Sequence, residues 1–598
     1  MVFPGPRQDP QPLLSMPVYQ PAGTLNDTTR RLCCAPYVNA NFANAVIREV
    51  VEAERKAVPP SYGFDLDPVV RHCLRARRLL IVRYAIVTGL IVAGLCVNWV
   101  ATISWLTLCA LVIGLRSSAV RELPRPVRLA IVAMIAFIVL CVAGYTILTF
   151  VFGQLVSSVG FDNGSQFPSG GSTSEERFAS LFGAGLYGTV LLAPVVLAAA
   201  MFLSLFLSRR HIYGILTTEL APGVRAAAPR TGSHRVEWRL GLVAAMQRGN
   251  ISVHDVDPYA GAGWIEHNWS FAVALNPSAD GSLPRRTRRI QIDGAALNRR
   301  VNDAVIGLRD GRLRDGERIP NVYVVPYVAA DGNRRSDDPL IDPHTRTPRT
   351  LASAETLAAI EGCPQGGLRH YLRAVVPANG KEIRTPDGRL VLPAQDSGIG
   401  VTAFIHLAVE GGMLYTEFVA TVMPQIHPWY HLGDNLRPER VPVRAAMHTL
   451  QAFVRDNLMG PTYLVRLGWD AVRLQSRMAQ SARAADEFRY YDYGAHFSVR
   501  ELAAQRPTIK FMQMLDSAKY IKLLDKAVTE AIVDFLDENG VDTTEFKNAV
   551  SNVTYDFSSA TFGGIQNFGG KNTNIQNNLT GGGGPGPSTG RPSGGSRG

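Results

Sequence analysis

Lysine is scarce in this chain. Eight of the 61 basic residues are lysine, so arginine supplies the other 53. A bias of this size reads as the mark of a GC-rich genome. It is not a nucleic-acid footprint, because no basic cluster is interleaved with aromatic residues. Paired cysteines are lacking too. None of the seven cysteines forms a CxxC, Cys33 and Cys34 are adjacent, and Cys96, Cys109 and Cys141 fall in apolar stretches. That excludes a disulfide framework and fits a reducing compartment around the soluble parts. The first 75 residues hold no short apolar core followed by a small-residue cleavage site, so no signal peptide is expected.

Phosphate-binding and catalytic signatures are also missing. There is no GxxxxGK[ST] and no kinase signature. A GxGxxG at Gly183, Gly185 and Gly188 lies inside an apolar stretch with no strand before it, where small residues serve helix packing. GxSxG occurs only around Ser588 and Ser596, in a Gly-rich tail that cannot strain a serine. The chain leans away from being an enzyme, and no cofactor is expected.

What the sequence does have is three long charge-free stretches: Tyr84–Leu115, Leu129 to about Val156, and Leu181–Leu207. The first is 32 residues, long for one span of ~20 and short for two. It reads as two short helices joined by a tight turn near Val97–Thr102, with a re-entrant hairpin as the alternative. Arg71, Arg75, Arg77, Arg78 and Arg83 precede it, and Arg116, Arg121, Arg125 and Arg128 follow it. Arg209, Arg210 and His211 follow the third stretch. The loop Gly160–Ser180 is acidic. By the positive-inside rule the basic clusters are cytoplasmic, which requires an even number of crossings of the first stretch and puts both termini inside. No ionisable residue lies deep in a span, so the block reads as an anchor rather than an ion path.

The expected fold is therefore an α-helical membrane block of about four spans, a cytoplasmic α+β domain and a disordered Gly-rich tail. The boundaries are a disordered segment at 1–37, cytoplasmic helices at 38–83, and a transmembrane block at 84–208 (84–98, 100–115, 129–154, 181–207). An α+β domain at 209–510, an amphipathic helical segment at 511–555 and a tail at 556–598 follow. The first 80 residues, with the helical spacing of Phe42, Val46, Val50 and Val51 over 38–57 and the unbroken DPVVRHCLRARRLL, resemble uncharacterised actinobacterial multi-span membrane proteins. That resemblance implies a membrane location and carries no known activity.

In the soluble part, 251–256, 269–276 and 321–328 read as strands, and 401–423 reads as a hairpin turning at Gly411-Gly412. Residues 443–458 and 461–483 read as helices. The stretch 329–400, rich in Pro, Gly, Asp and Arg, reads as long loops. Residues 514–538 form an amphipathic helix with Ile521, Leu524, Val528, Ile532 and Phe535 on one face. It serves either its own domain's core or self-association. The tract 562–578 repeats Ile-Gln-Asn and is a second self-association candidate.

Two groups carry metal-type chemistry. His427, His431 and Asp434 in QIHPWYHLGD supply imidazole and carboxylate suited to zinc or iron, but Pro428 opposes the helical i,i+4 geometry of a zincin. His254, Asp255, Asp257, Glu266 and His267 flank a Gly-containing turn. The leading expectation is a multi-pass cell-membrane adaptor whose cytoplasmic domain docks a soluble partner or assembly at the lipid bilayer. A membrane-acting cell-death or defence effector, assembling through its C-terminal tract, and a membrane-tethered metal-dependent enzyme are the alternatives.

Overall fold

The computed structural model describes residues 26–61, 63–115, 174–224, 228–278, 292–314, 316–364, 366–379, 383–385, 387–392, 396–505 and 510–551. The expected span at 129–154, the acidic loop, the first 25 residues and the 562–578 tract lie outside these.

A helical unit is built from α1 (Asp27–Val38), α2 (Ala40–Val46), α3 (Leu66–Leu115), α4 (Ser174–Thr218) and α5 (His234–Met246), with α7 (Val441–Val472) and α8 (Leu474–Glu487) from far along the chain. Asn26 caps α1 by accepting from Thr29 N at 2.6 Å, and Asn39 caps α2. The expected single helix over 38–57 therefore restarts at Asn39 and ends in a π-helical turn, Ile47–Glu52. The expected disorder of 1–37 does not extend to α1, whose Leu32, Cys33 and Cys34 are fully buried. Arg30 and Arg31 of α1 pair with the carboxylate of Asp434, some 400 positions away. The wholly buried Arg239 on α5 donates to the Val50 carbonyl at 2.9 Å and the Lys56 carbonyl at 2.8 Å.

Helical bonding runs unbroken through α3, yet α3 is not straight. In a straight helix residues 94 and 102 would lie about 12 Å apart along the axis. Here a Cβ at Gly94 would stand 2.9 Å from Thr102 Oγ1, and Leu106 packs in the same apolar cluster as Val87 and Ile91. The helix folds back between these residues, with Val97 and Trp99 exposed at the tip. α4 runs antiparallel to the first arm, and Leu197 lies against the open face of Gly94. α7 also bends. Gly433 packs on Cys34 and the Leu216 and Leu220 carbonyls, and the eight residues to Val441 reach at most about 28 Å. His448 then meets Tyr213, Gly460 meets Val87, and Tyr463 meets Tyr84. α7 thus rises beside α4 and returns beside α3, bending near Gly460-Pro461, where proline removes an N–H donor.

Two described stretches are long and apolar enough to cross a membrane, Leu66–Val97 and Val195–Thr218. The apolar helix Trp105–Gly114 in the returning arm is shorter than a span. The four-span arrangement is not supported among the described residues.

The second unit is a mixed α/β domain around a six-stranded sheet. Its strands are β1 (Ile251–His254), β2 (Trp264–Ala274), β3 (Tyr323–Asp331), β4 (Leu368–Asn379), β5 (Asp396–Glu410) and β6 (Met413–Met423), in the order β1-β3-β4-β5-β6-β2. β1 pairs parallel with β3, and all other pairs are antiparallel. The β5–β6 turn uses Gly411 and Gly412 at φ +60° and +80°, which only glycine adopts cheaply. Val401, Ala403, Ile405, Leu414 and Phe418 on one face pack under α6 (Gly294–Gly307) and α9 (Phe511–Glu538). α10 (Thr544–Ser551) follows Gly540, at φ +70°, and closes the edge beside β2. α9 is thus a structural cover of the sheet rather than a separate segment at 511–555. The expected loops over 329–400 are corrected as well. They contain β4, a central strand disguised by Arg369, His370, Arg373 and Pro377.

Candidate ligand cavity at the base of the hairpin

A half-open cavity of about 930 Å³ lies where the α1–α2 junction, both arms of α3, α4 and α7 meet. Its chemistry follows from where the charge-free stretches stop. Arg83 is the last cation before the first stretch, and Arg209 is the first after the third. Antiparallel packing of α3 on α4 brings both ends to one level, and Arg83 Nε donates to Ser208 Oγ at 2.8 Å. Both guanidinium side chains are about nine-tenths buried. Arg209 Nη2 donates to Asp456 Oδ2 at 2.6 Å, and Asp456 on α7 is 1% exposed. Arg455 Nε lies 3.6 Å from the other carboxylate oxygen. Arg466 completes the wall. Four guanidiniums thus face one carboxylate among the lining residues, a formal excess of three positive charges. Arg209 Nη1 and both amide atoms of Asn457, next to Asp456, are buried without a hydrogen-bond partner. Leu80, Val112 and Ile113 give the cavity an apolar side, and exposed Trp429 stands at its mouth. Such a wall can hold an anion with an apolar appendage. The sequence showed Arg83 and Arg209 only as topology markers and did not single out Arg455 or Arg466. Their convergence depends on the fold-back of α3 and on an aspartate 247 positions from Arg209.

The structure does not bring the predicted trio His427, His431 and Asp434 together as metal ligands. Burial works against the Asp434 carboxylate, but the Arg30 and Arg31 guanidiniums outweigh it and hold its carboxyl below the usual range. Asp434 accepts from Arg30 Nη1 and, at 2.8 Å, from Arg31 Nε. His431 Nε2 faces the Ile426 carbonyl at 3.2 Å, and burial, with Arg31 alongside, lowers its basicity. His427 Nδ1 accepts from Trp429 N at 3.3 Å, capping a short 3₁₀ turn that begins at Pro428. This loop ties α1 to the sheet, helped by Asn39 Nδ2 donating to Tyr430 OH at 3.1 Å.

Among the described residues, Asp255, Asp492 and His496 form the group whose donor atoms all lie within 4.8 Å of one another. The Lys56 ammonium sits among them, bonded to Asp492 and 2.6 Å from His496 Nε2, so the position a cation would take is filled. Of the other residues in the second predicted group, Asp257 accepts from Tyr259 N at 2.9 Å and His267 is buried 3.6 Å from Asp525. On the sheet face away from α9, Tyr259 and Tyr371 both donate to Glu417 at 3.3 Å. Burial pushes the Tyr371 phenol up to about 12, so neither ring is poised as a phenolate.

Residues 268–575 match the family model of the AbeC-like domain, 308 of the 598 residues. No curated protein and no solved structure matches the chain. The matched region contains Arg455, Asp456 and Arg466, while Arg83 and Arg209 lie before it.

Proposed function

We propose that this chain, which belongs to the AbeC-like domain family, is a membrane-anchored adaptor that holds its α/β domain at the cytoplasmic face to dock a soluble partner. One observation carries the reading. A single apolar core takes in α1, α2, the base of α3, the end of α4, α5, α7 and α8, including Leu32, Val69, Leu216, Leu240, Ala445 and Met478. The base of the apolar hairpin thereby shares a core with α5, which precedes β1, and with Ile426, which follows β6. Beyond that core, Val82, Ile86, Val92, Val97, Trp99 and Leu203 stay exposed. So long an apolar band, free of charge from Tyr84 onward, suits lipid rather than water.

The fold-back of α3 supports a specific topology. Its charge-free first arm, residues 84–97, is about 21 Å long against a hydrocarbon core of ~30 Å. The hairpin then dips into the cytoplasmic leaflet and returns, which keeps the basic clusters at both its ends on one side. A crossing by α4, which carries Arg209 and Arg210 behind its apolar run, puts that basic end on the same side.

The test is enrichment of a soluble partner by the full-length chain in membranes. A fragment starting at residue 212 is unsuitable, because it lacks the α1–α3 half of the core. Phe511, Met512 and Leu515 are exposed together at the start of α9, an apolar patch on the sheet unit that a partner could cover. The adaptor reading expects a soluble protein that co-purifies with the full chain and is lost from a Phe511→Ser/Met512→Ser variant. No enrichment over empty membranes would remove the reading.

A further inference from the structure

We propose that the cavity at the base of the hairpin binds the phosphate headgroup of an anionic membrane lipid. The proposal rests on the membrane reading above. Three features point to it.

The first is charge. Arg83, Arg209, Arg455 and Arg466 line the cavity against Asp456 alone. Arg83 and Arg209 are largely withdrawn from water, where a guanidinium is costly unless paired; Asp456 bonds Arg209, and the exposed Arg455 and Arg466 add further positive charge. Arg209 makes the deficit concrete: one amino group bonds Asp456, while Nη1 is buried with no partner. A phosphate offers several acceptor oxygens and matches the planar guanidinium fork, so it fills the deficit that Asp456 leaves.

The second is depth. Arg83 directly precedes the charge-free stretch, and Arg209 directly follows α4's apolar run. In the proposed topology both lie at the cytoplasmic headgroup level, where basic pockets between helices hold acidic lipid headgroups. Tyr84 and Tyr463, with ring centroids 5.2 Å apart, and Trp429 at the mouth are residue types that favour that level.

The third is the mixed wall. A free phosphate needs only the arginines. Leu80, Val112 and Ile113 continue from them onto the flank of the hairpin and suit a glycerol backbone and the first carbons of an acyl chain. The volume lies near the top of the ~300–1,000 Å³ range of small-molecule sites, ample for a headgroup with its glycerol.

The experiment uses the full-length chain in two sets of nanodiscs, phosphatidylcholine alone and phosphatidylcholine with phosphatidylglycerol. Retained lipid is counted by native mass spectrometry after transfer to a mild detergent. The expected result is one phosphatidylglycerol retained per chain in preference to phosphatidylcholine. Arg455→Gln/Arg466→Gln should weaken that retention roughly 30-fold, about one decade and a half for two lost cations. Both arginines are exposed, so this variant folds as the parent does, which its thermal unfolding in phosphatidylcholine checks. Equal retention of the two lipids, or wild-type retention by the double variant, would overturn the proposal. A parallel arm adds millimolar inorganic phosphate to the delipidated chain. Stabilisation equal to that from phosphatidylglycerol would assign the site to a soluble anion and overturn the lipid assignment. Failure to enter phosphatidylcholine nanodiscs at all would instead refute the membrane reading.

Discussion

Replacing Asp456 with asparagine keeps the side chain's shape and removes the one carboxylate lining the cavity. The structure makes its effect calculable by comparison with Arg209→Met. Asp456 is almost fully buried, bonded to Arg209 at 2.6 Å, with Arg455 at 3.6 Å and Arg83 on the same cavity wall. Without the anion, two buried guanidiniums lose their counter-charge together. Orphaning a buried ion in this way costs about 3–5 kcal/mol. Removing Arg209 instead leaves Asp456 with the other arginines. The loss is then near that of one charge-assisted hydrogen bond, about 1.5–3 kcal/mol, partly offset because Arg209 Nη1 had no partner to lose. Asp456→Asn should therefore be the more damaging of the two, by about 2 kcal/mol. Thermal unfolding followed by tryptophan fluorescence in lipid-free detergent is the assay, so that no lipid phosphate substitutes for the lost carboxylate. An Asp456→Asn protein within about 1 kcal/mol of the parent, or an Arg209→Met protein that is the less stable, would refute the reasoning.

Burial pushes the His370 imidazole on β4 down to about 4, with the neighbouring His406 adding to the shift. The unfolded chain binds the proton more readily, so stability is whole above pH ~6.5 and falls as pH drops toward ~4, by about 3 kcal/mol. His370→Phe should flatten that slope in denaturant titrations at pH 7, 5.5 and 4, and an unchanged slope would contradict the assignment. Gly263 has φ +100°, and an added Cβ would stand 2.2 Å from the Val422 carbonyl oxygen of β6. Gly263→Ala should cost about 3 kcal/mol or more, and an unaltered unfolding midpoint would show that β2 does not approach β6 as described. Leu524→Ala, on the buried face of α9, should cost about 2–5 kcal/mol, while exposed Met512→Ser on the same helix changes stability by less than about 0.5. Equal effects would mean that α9 does not cover the sheet.

The parts legible in the sequence were those with local causes. The β5–β6 hairpin was marked by two β-rich runs around Gly411-Gly412, and α9 by apolar residues at helical spacing with Gly540 behind them. The turn in the first apolar stretch was legible from its length, but the expected helices 443–458 and 461–483 are instead α7, continuous through Pro461, and α8, divided at Arg473. β4 was not legible, because cross-sheet pairing rather than its own alternation fixes it, and its arginines masked its pattern. Nor was α1, whose burial depends on Asp434 accepting two arginines from the far end of the chain. The metal reading of His427, His431 and Asp434 failed for the same reason. Proximity in sequence placed the three side chains near one another, but each is committed to a different long-range or capping contact. Of the cavity's arginines, Arg83 and Arg209 were visible as the ends of apolar stretches, but their shared level was not, because that depends on two long helices packing antiparallel.

The most direct test of a membrane-anchored chain with its α/β domain inside is the accessibility of Cys363. It is exposed on the sheet unit, while Cys33, Cys34 and Cys73 are buried in the helical core. With Cys96 and Cys141 replaced by serine, a membrane-impermeant maleimide is applied to intact expressing cells and to inverted vesicles from them. The account predicts that Cys363 is labelled in the inverted vesicles only, on a protein that stays with the membrane pellet after an alkaline wash. Labelling of intact cells, or release of the chain into the soluble fraction, would contradict it.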